Sequence, residues 1–103
     1  MTTRNTRLHP DAVIPVADAV VETDDGATTV AVPTGASGIM IQNLAANGSY
    51  WSFDGAMTGA DEGFKLGSTR ELIWFSPTHV TNVYLYLHAN DSVIYQFVAP
   101  AAY

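Results

Sequence analysis

Turn-forming clusters break this chain at short intervals, and nothing between them shows the sustained spacing of an amphipathic helix. Asp24-Asp25-Gly26, the run PTGASG at 33–38, Asn47-Gly48 and Asn90-Asp91 carry the residue types that turns require. Gly26 suits a positive φ, and Asn-Gly is the strongest short hairpin signal. Between these clusters lie runs rich in β-branched and aromatic residues, at 12–21, 27–33, 38–44, 50–55, 71–76, 81–88 and 92–99. A shorter one, at 64–66, sits inside the glycine-rich segment 55–69. Pro15 lacks a backbone donor and confines the first run to an edge or a break. Residues 81–88, TNVYLYLH, alternate most cleanly: Val83, Leu85 and Leu87 share one face, with Asn82, Tyr84, Tyr86 and His88 on the other. The pattern predicts an all-β fold, a small antiparallel β-sandwich or jelly-roll-like barrel of seven or eight short strands with an extended N-terminal arm.

At 103 residues the chain suits one domain, read here as an arm over 1–11 and a single β-sandwich domain over 12–103. The arm and the body differ in charge. Residues 1–10 hold Arg4 and Arg7 and no acid, whereas 11–103 hold ten acids against Lys65 and Arg70, which makes the formal net charge −6. An acidic body disfavours nucleic acid, because phosphate repulsion would have to be overcome. No apolar run approaches the length of a membrane span, and the first residues lack the apolar segment of a secretory signal. With no cysteine, disulfides and thiolate metal sites are excluded. The arm has Met1 and Leu8 as its sizeable apolar groups, too few to join a core. It reads either as a frayed terminus or as a segment that orders on an acidic neighbouring surface through Arg4, Arg7 and Leu8.

Charged residues are only 14% of the chain against 48% apolar, thin cover for a free monomer. Two strands sharpen the point. In 92–98, Val93, Tyr95 and Phe97 alternate with Ile94 and Val98, and in 72–75 Leu72 and Trp74 alternate with Ile73 and Phe75, so both faces are apolar. A sheet with one wet face alternates apolar with polar. Either other copies or a partner cover the second face, through Trp74, Tyr84, Tyr86, Ile94 and Val98, or a locally thick core or covering loop of the same chain does. Contact between copies is the expected cover.

No catalytic set with diagnostic spacing is present: HExxH, GxSxG and GKS/T are all missing. His9, His79 and His88 are scattered and read as surface or strand-end histidines. Asp54, Asp61 and Glu62 could offer calcium the carboxylate oxygens it prefers, but the DxDxDG spacing is absent and solvated turn acids are the expectation. Tyr50, Trp51, Trp74, Tyr84 and Tyr86 could stack on sugar rings, though core and interface packing use such rings equally well. The expectation is a non-enzymatic protein with no cofactor and no metal.

The order VAVPTGASGIMIQN, YWSFDG, MTGADEGFKLGSTRELIWFS and VTNVYLYLHANDSVIYQFV resembles small β-sandwich virion proteins of tailed bacteriophages. The likeness rests on Pro33-Thr34-Gly35-Ala36, Phe53-Asp54-Gly55, Gly63-Phe64-Lys65-Leu66 and the 81–99 pair, and covers roughly 27–99. It implies a virion location and a structural role, capsid decoration (cement) first and a tail, connector or fibre part next. It also implies a homo-oligomer, with a trimer favoured by the three-fold positions of shell lattices, whose partner is the major capsid protein or another virion protein. A carbohydrate- or receptor-binding module is the rival from a different class.

Overall fold

A computed structural model describes residues 13–23, 25–45, 48–55 and 62–101. Nine strands run in chain order: β1 (Val13–Pro15), β2 (Val20–Glu22), β3 (Gly26–Ala31), β4 (Gly38–Asn43), β5 (Tyr50–Ser52), β6 (Phe64–Lys65), β7 (Glu71–Trp74), β8 (Asn82–Leu87) and β9 (Val93–Pro100). They form two antiparallel sheets. One has the order β1-β9-β4-β7, with β2 also on β9, and the other has the order β3-β8-β5-β6. The fold is the expected small β-sandwich. The strand number exceeds seven or eight because the segment 12–21 makes two strands. Pro15 ends β1, and Val16 keeps its backbone bonded to Phe97 O (2.9 Å) before the chain resumes pairing at Val20.

The period-two reading of 81–88 sets the core. Val83, Leu85 and Leu87 are buried and face Ile39, Ile41, Val93, Tyr95 and Phe97 of the other sheet, with Trp51 and Leu66 closing the cluster. Trp51 stands directly opposite Leu85 in the register and meets Phe53 edge-on at 4.9 Å, and Phe53 in turn meets Phe75 at 5.4 Å. Ile73 and Phe75 pack against the core, while Leu72 and Trp74 take the outer face, as the alternation in 72–75 requires. Tyr95 is inside too. Burial, with the Glu22 carboxylate adding to it, pushes its phenol above the ordinary value of 10.0, so it packs as a neutral ring.

Turn chemistry behaves as the residues dictate. Gly26 has φ +98° and starts β3, in the region where a side chain is strained. Asn90 is the one non-glycine residue with positive φ among the described residues, at 73°, and Asp91 N–H closes that turn onto His88 O at 3.0 Å.

Candidate interaction surfaces

Where sequence reading sees a two-residue turn at Asn90-Asp91, the structure has a buried acid. Asp91 is 2% exposed and accepts from Asn43 Nδ2 at 2.9 Å and from Ser49 Oγ at 2.5 Å. Asn43 and Ser49 are themselves fully buried. Ser49 Oγ also accepts from His88 N–H at 3.0 Å, and Asn43 Oδ1 from Ala45 N–H at 3.0 Å. Asn43 ends β4 of one sheet, Ser49 leads into β5 of the other, and Asp91 leads into β9. One carboxylate thus ties the two sheets at one end of the sandwich. A buried carboxylate held this way is a structural clamp, since its acceptor oxygen is occupied by protein donors. Among the described residues no buried side-chain nitrogen or oxygen lacks a hydrogen-bond partner.

The outer face of the five-stranded sheet is apolar. Residues 94, 96 and 98 of β9, 38, 40 and 42 of β4 and 72 and 74 of β7 share it by alternation, so Met40, Leu72, Trp74 and Ile94 stand among Gln42 and Gln96. Ile94, Met40, Gln42, Gln96, Arg70 and Ala19 line a shallow groove there. In the neighbouring row Pro15, Val98, Gly38 and Trp74 lie side by side across four strands. Gly38 has no side chain, and the Trp74 ring fills its place. A Cβ on Gly38 would sit 2.6 Å from the ring and 3.1 Å from Val98 Cγ2. Val98 is consequently 1% exposed within a single chain, whereas Trp74 keeps 38% of its surface open. At Val98, then, the cover expected from another copy is supplied by the chain itself. Gly38→Ala is expected to push Trp74 off Val98 at a cost of about 1–3 kcal/mol, the usual range for overpacking. The indole N–H resonance of Trp74 should shift while that of buried Trp51 stays.

The outer face of the four-stranded sheet is aromatic. Tyr50 stands opposite Tyr86, and Tyr84 lies between Thr29 and Ser52 in the next outward row, with Lys65 beyond Tyr50. All three tyrosines are half-buried. No carboxylate lies on these strands. His88, the last member of the predicted stripe, turns its Nδ1 to Ala89 O at 2.7 Å. The five-ring platform read from the sequence therefore does not exist as one surface. Tyr50, Tyr84 and Tyr86 share a face, Trp51 is in the core, and Trp74 is on the opposite side of the sandwich. The five expected interface residues divide the same way, with Tyr84 and Tyr86 on one face and Trp74, Ile94 and Val98 on the other. Arg4, Arg7, Leu8, His9 and Asp61 lie outside the described residues, as does the arm assigned to 1–11.

No protein-family model, curated protein or solved structure matches this chain. Among the described residues no group of three or more His, Cys, Asp or Glu is placed to hold a metal ion, and Asp54 and Glu62 are exposed. Ser76 Oγ lies 3.1 Å from His79 Nδ1, but Thr78 Oγ1 crowds the same nitrogen at 3.2 Å and His79 N–H is bonded to Ser76 O, the geometry of an exposed turn closing on itself. Among the described residues no helix is long and apolar enough to cross a membrane.

Proposed function

We propose that this chain is a non-enzymatic structural protein of a tailed-phage virion, a capsid-decorating (cement) protein that acts as a homo-oligomer on the assembled shell. The observation that carries the reading is the outer face of the five-stranded sheet, where Met40, Leu72, Trp74 and Ile94 remain partly open in a chain with few charges. The resemblance of 27–99 to small virion sandwiches supplies the setting. A protein that binds the assembled shell and not the free subunit shifts the equilibrium toward the shell by mass action, and needs no reaction. The basic arm, with Arg4 and Arg7, would add a salt-sensitive tether to an acidic neighbour.

The test is sedimentation of the purified protein with intact capsids and, separately, with tails of the phage that encodes it. Binding to capsids, with a raised shell melting temperature, is expected. Binding to tails alone would move the chain to the tail or connector, and binding to neither would remove it from the virion. A truncation lacking residues 1–10 should bind more weakly at low salt than the full chain, and equal binding at low and high salt would leave the arm no role. The carbohydrate-binding reading draws on one observation, the row of Tyr50, Tyr84 and Tyr86 on one outer face beside Ser52, Thr29 and Asn82. A glycan array with a reproducible sugar preference, abolished by Tyr86→Ala, would favour it.

A further inference from the structure

Among the described residues both sheets end in open edges, and sequence treats those edges differently. On the five-stranded sheet, β1 carries Pro15, β2 carries Glu22 with Asp18 just before it, and β7 carries Glu71 with Arg70 before it. On the four-stranded sheet, β6 is two residues long and includes Lys65. Proline, charge and shortness are the devices by which natural sheets keep an edge from pairing with another chain. β3 has none of them. It is six residues, GATTVA, without charge or proline, and among the described residues only β8 pairs with it.

The register shows what that edge offers. Val32 N–H donates to Thr81 O at 3.0 Å, continuing the ladder in which Val30 faces Val83 and Thr28 faces Leu85. Residues of even number therefore turn their N–H and C=O toward β8, and Ala27, Thr29 and Ala31 turn theirs to the open edge. The side chains of these three are exposed, small and uncharged.

We infer that β3 pairs antiparallel with β3 of a second copy about a two-fold axis at Thr29, joining the two four-stranded sheets into one. A two-fold contact requires a surface that complements itself. The segment Ala27-Thr28-Thr29-Val30-Ala31 meets that requirement, because inversion about Thr29 brings Ala27 opposite Ala31 and Thr28 opposite Val30, a pair of nearly identical shape. Each copy's Asp25, the nearest described carboxylate, then falls opposite Pro33 of the other, so no like charges meet along the ladder. The same pairing of β2 with itself would bring Glu22 and Asp18 of each copy toward one another's strand. Roughly six backbone hydrogen bonds form across the axis. The side chains that meet are small, so the contact rests mainly on the backbone ladder and its population depends on protein concentration. The inference deepens the proposed assembly and rests on it only for the purpose of the contact. Its two-fold symmetry departs from the three-fold expectation drawn from shell lattices.

The chain contains no cysteine, so single-cysteine variants of the full-length protein report the contact directly. Opposed residues at the axis lie about 5.5 Å apart between Cα atoms, within disulfide reach. Thr29→Cys is expected to oxidise to a linked dimer, and a mixture of Ala27→Cys and Ala31→Cys to link preferentially to each other. Thr69→Cys, exposed near the opposite edge, should link no faster than free collision. Thr29→Lys, on the solvent face, should keep the native circular dichroism and shift the dimer–monomer midpoint at least tenfold toward monomer, since like charges would stand directly opposite. Cross-linking of Thr29→Cys no faster than that of Thr69→Cys overturns the inference, whatever mass the protein has in solution. A trimer that binds capsids without this cross-link would leave the decorating role standing and remove the two-fold contact. A cross-linked dimer that binds neither capsids nor tails would do the reverse.

Discussion

Leu85→Ala is expected to lower the stability of the domain by about 2–5 kcal/mol, the range for truncating a fully buried leucine. Leu85 is 1% exposed, sits in the middle of β8, and is flanked in the register by Trp51 on one side and Thr28 on the other. Trp51 is fixed by Phe53 and Phe64, whose rings lie 4.9 and 5.0 Å from it, so the tryptophan cannot easily swing into the space left behind. A site that cannot collapse keeps its cavity, which places the expected cost in the upper half of the range. Urea denaturation followed by tryptophan fluorescence measures it. The midpoint should fall with little change in slope, and a loss below roughly 0.5 kcal/mol would mean that the strand presents its other face to the core.

That strand was legible because its alternation is complete over six residues, and the neighbouring β3 repeats the same period. The other segments were legible for a related reason: Gly26, Gly35 and Asn90, all at positive φ, mark turns through a backbone geometry that glycine and asparagine adopt most readily. Surfaces were harder. The rings of Tyr50, Trp51, Trp74, Tyr84 and Tyr86 are equivalent as composition, but which face each takes depends on the parity of its strand and on which sheet that strand joins. Trp51 and Tyr50 are neighbours in sequence and point to opposite sides. Val98 illustrates a second limit. It reads as an outward apolar residue needing a partner, yet the gap at Gly38, two strands from Trp74's backbone row to its own, lets one ring of the same chain cover it. The absence of a side chain was visible in the sequence, but the ring brought into it by the β4–β7 register was not.

The clamp at the end of the sandwich is the other place where a single change should have a large effect. Asp91→Ala is expected to cost about 3 kcal/mol, because it strands two buried donors, Asn43 Nδ2 and the Ser49 hydroxyl, and removes charge-assisted bonds that are stronger than neutral ones. Asp91→Asn should cost less, about 1–2 kcal/mol, since an amide oxygen can take the place of Oδ2 and still accept both bonds without the charge. The order separates a clamp from a merely filled site: if shape were all that mattered, the near-isosteric amide would be neutral. Replacing the donors as well would not restore stability. Ser49 Oγ holds His88 N–H and Asn43 Oδ1 holds Ala45 N–H, so apolar residues at 43, 49 and 91 would leave two backbone donors without these acceptors. The triple variant should therefore remain well below the native protein, unlike buried ion pairs whose members bond only to each other. Chemical denaturation of the three variants, with amide exchange at His88 and Ala45, provides the measurement. Faster exchange at both amides in the triple variant is the expected result. Protection unchanged from native would mean that the apolar core alone holds this end of the two sheets together.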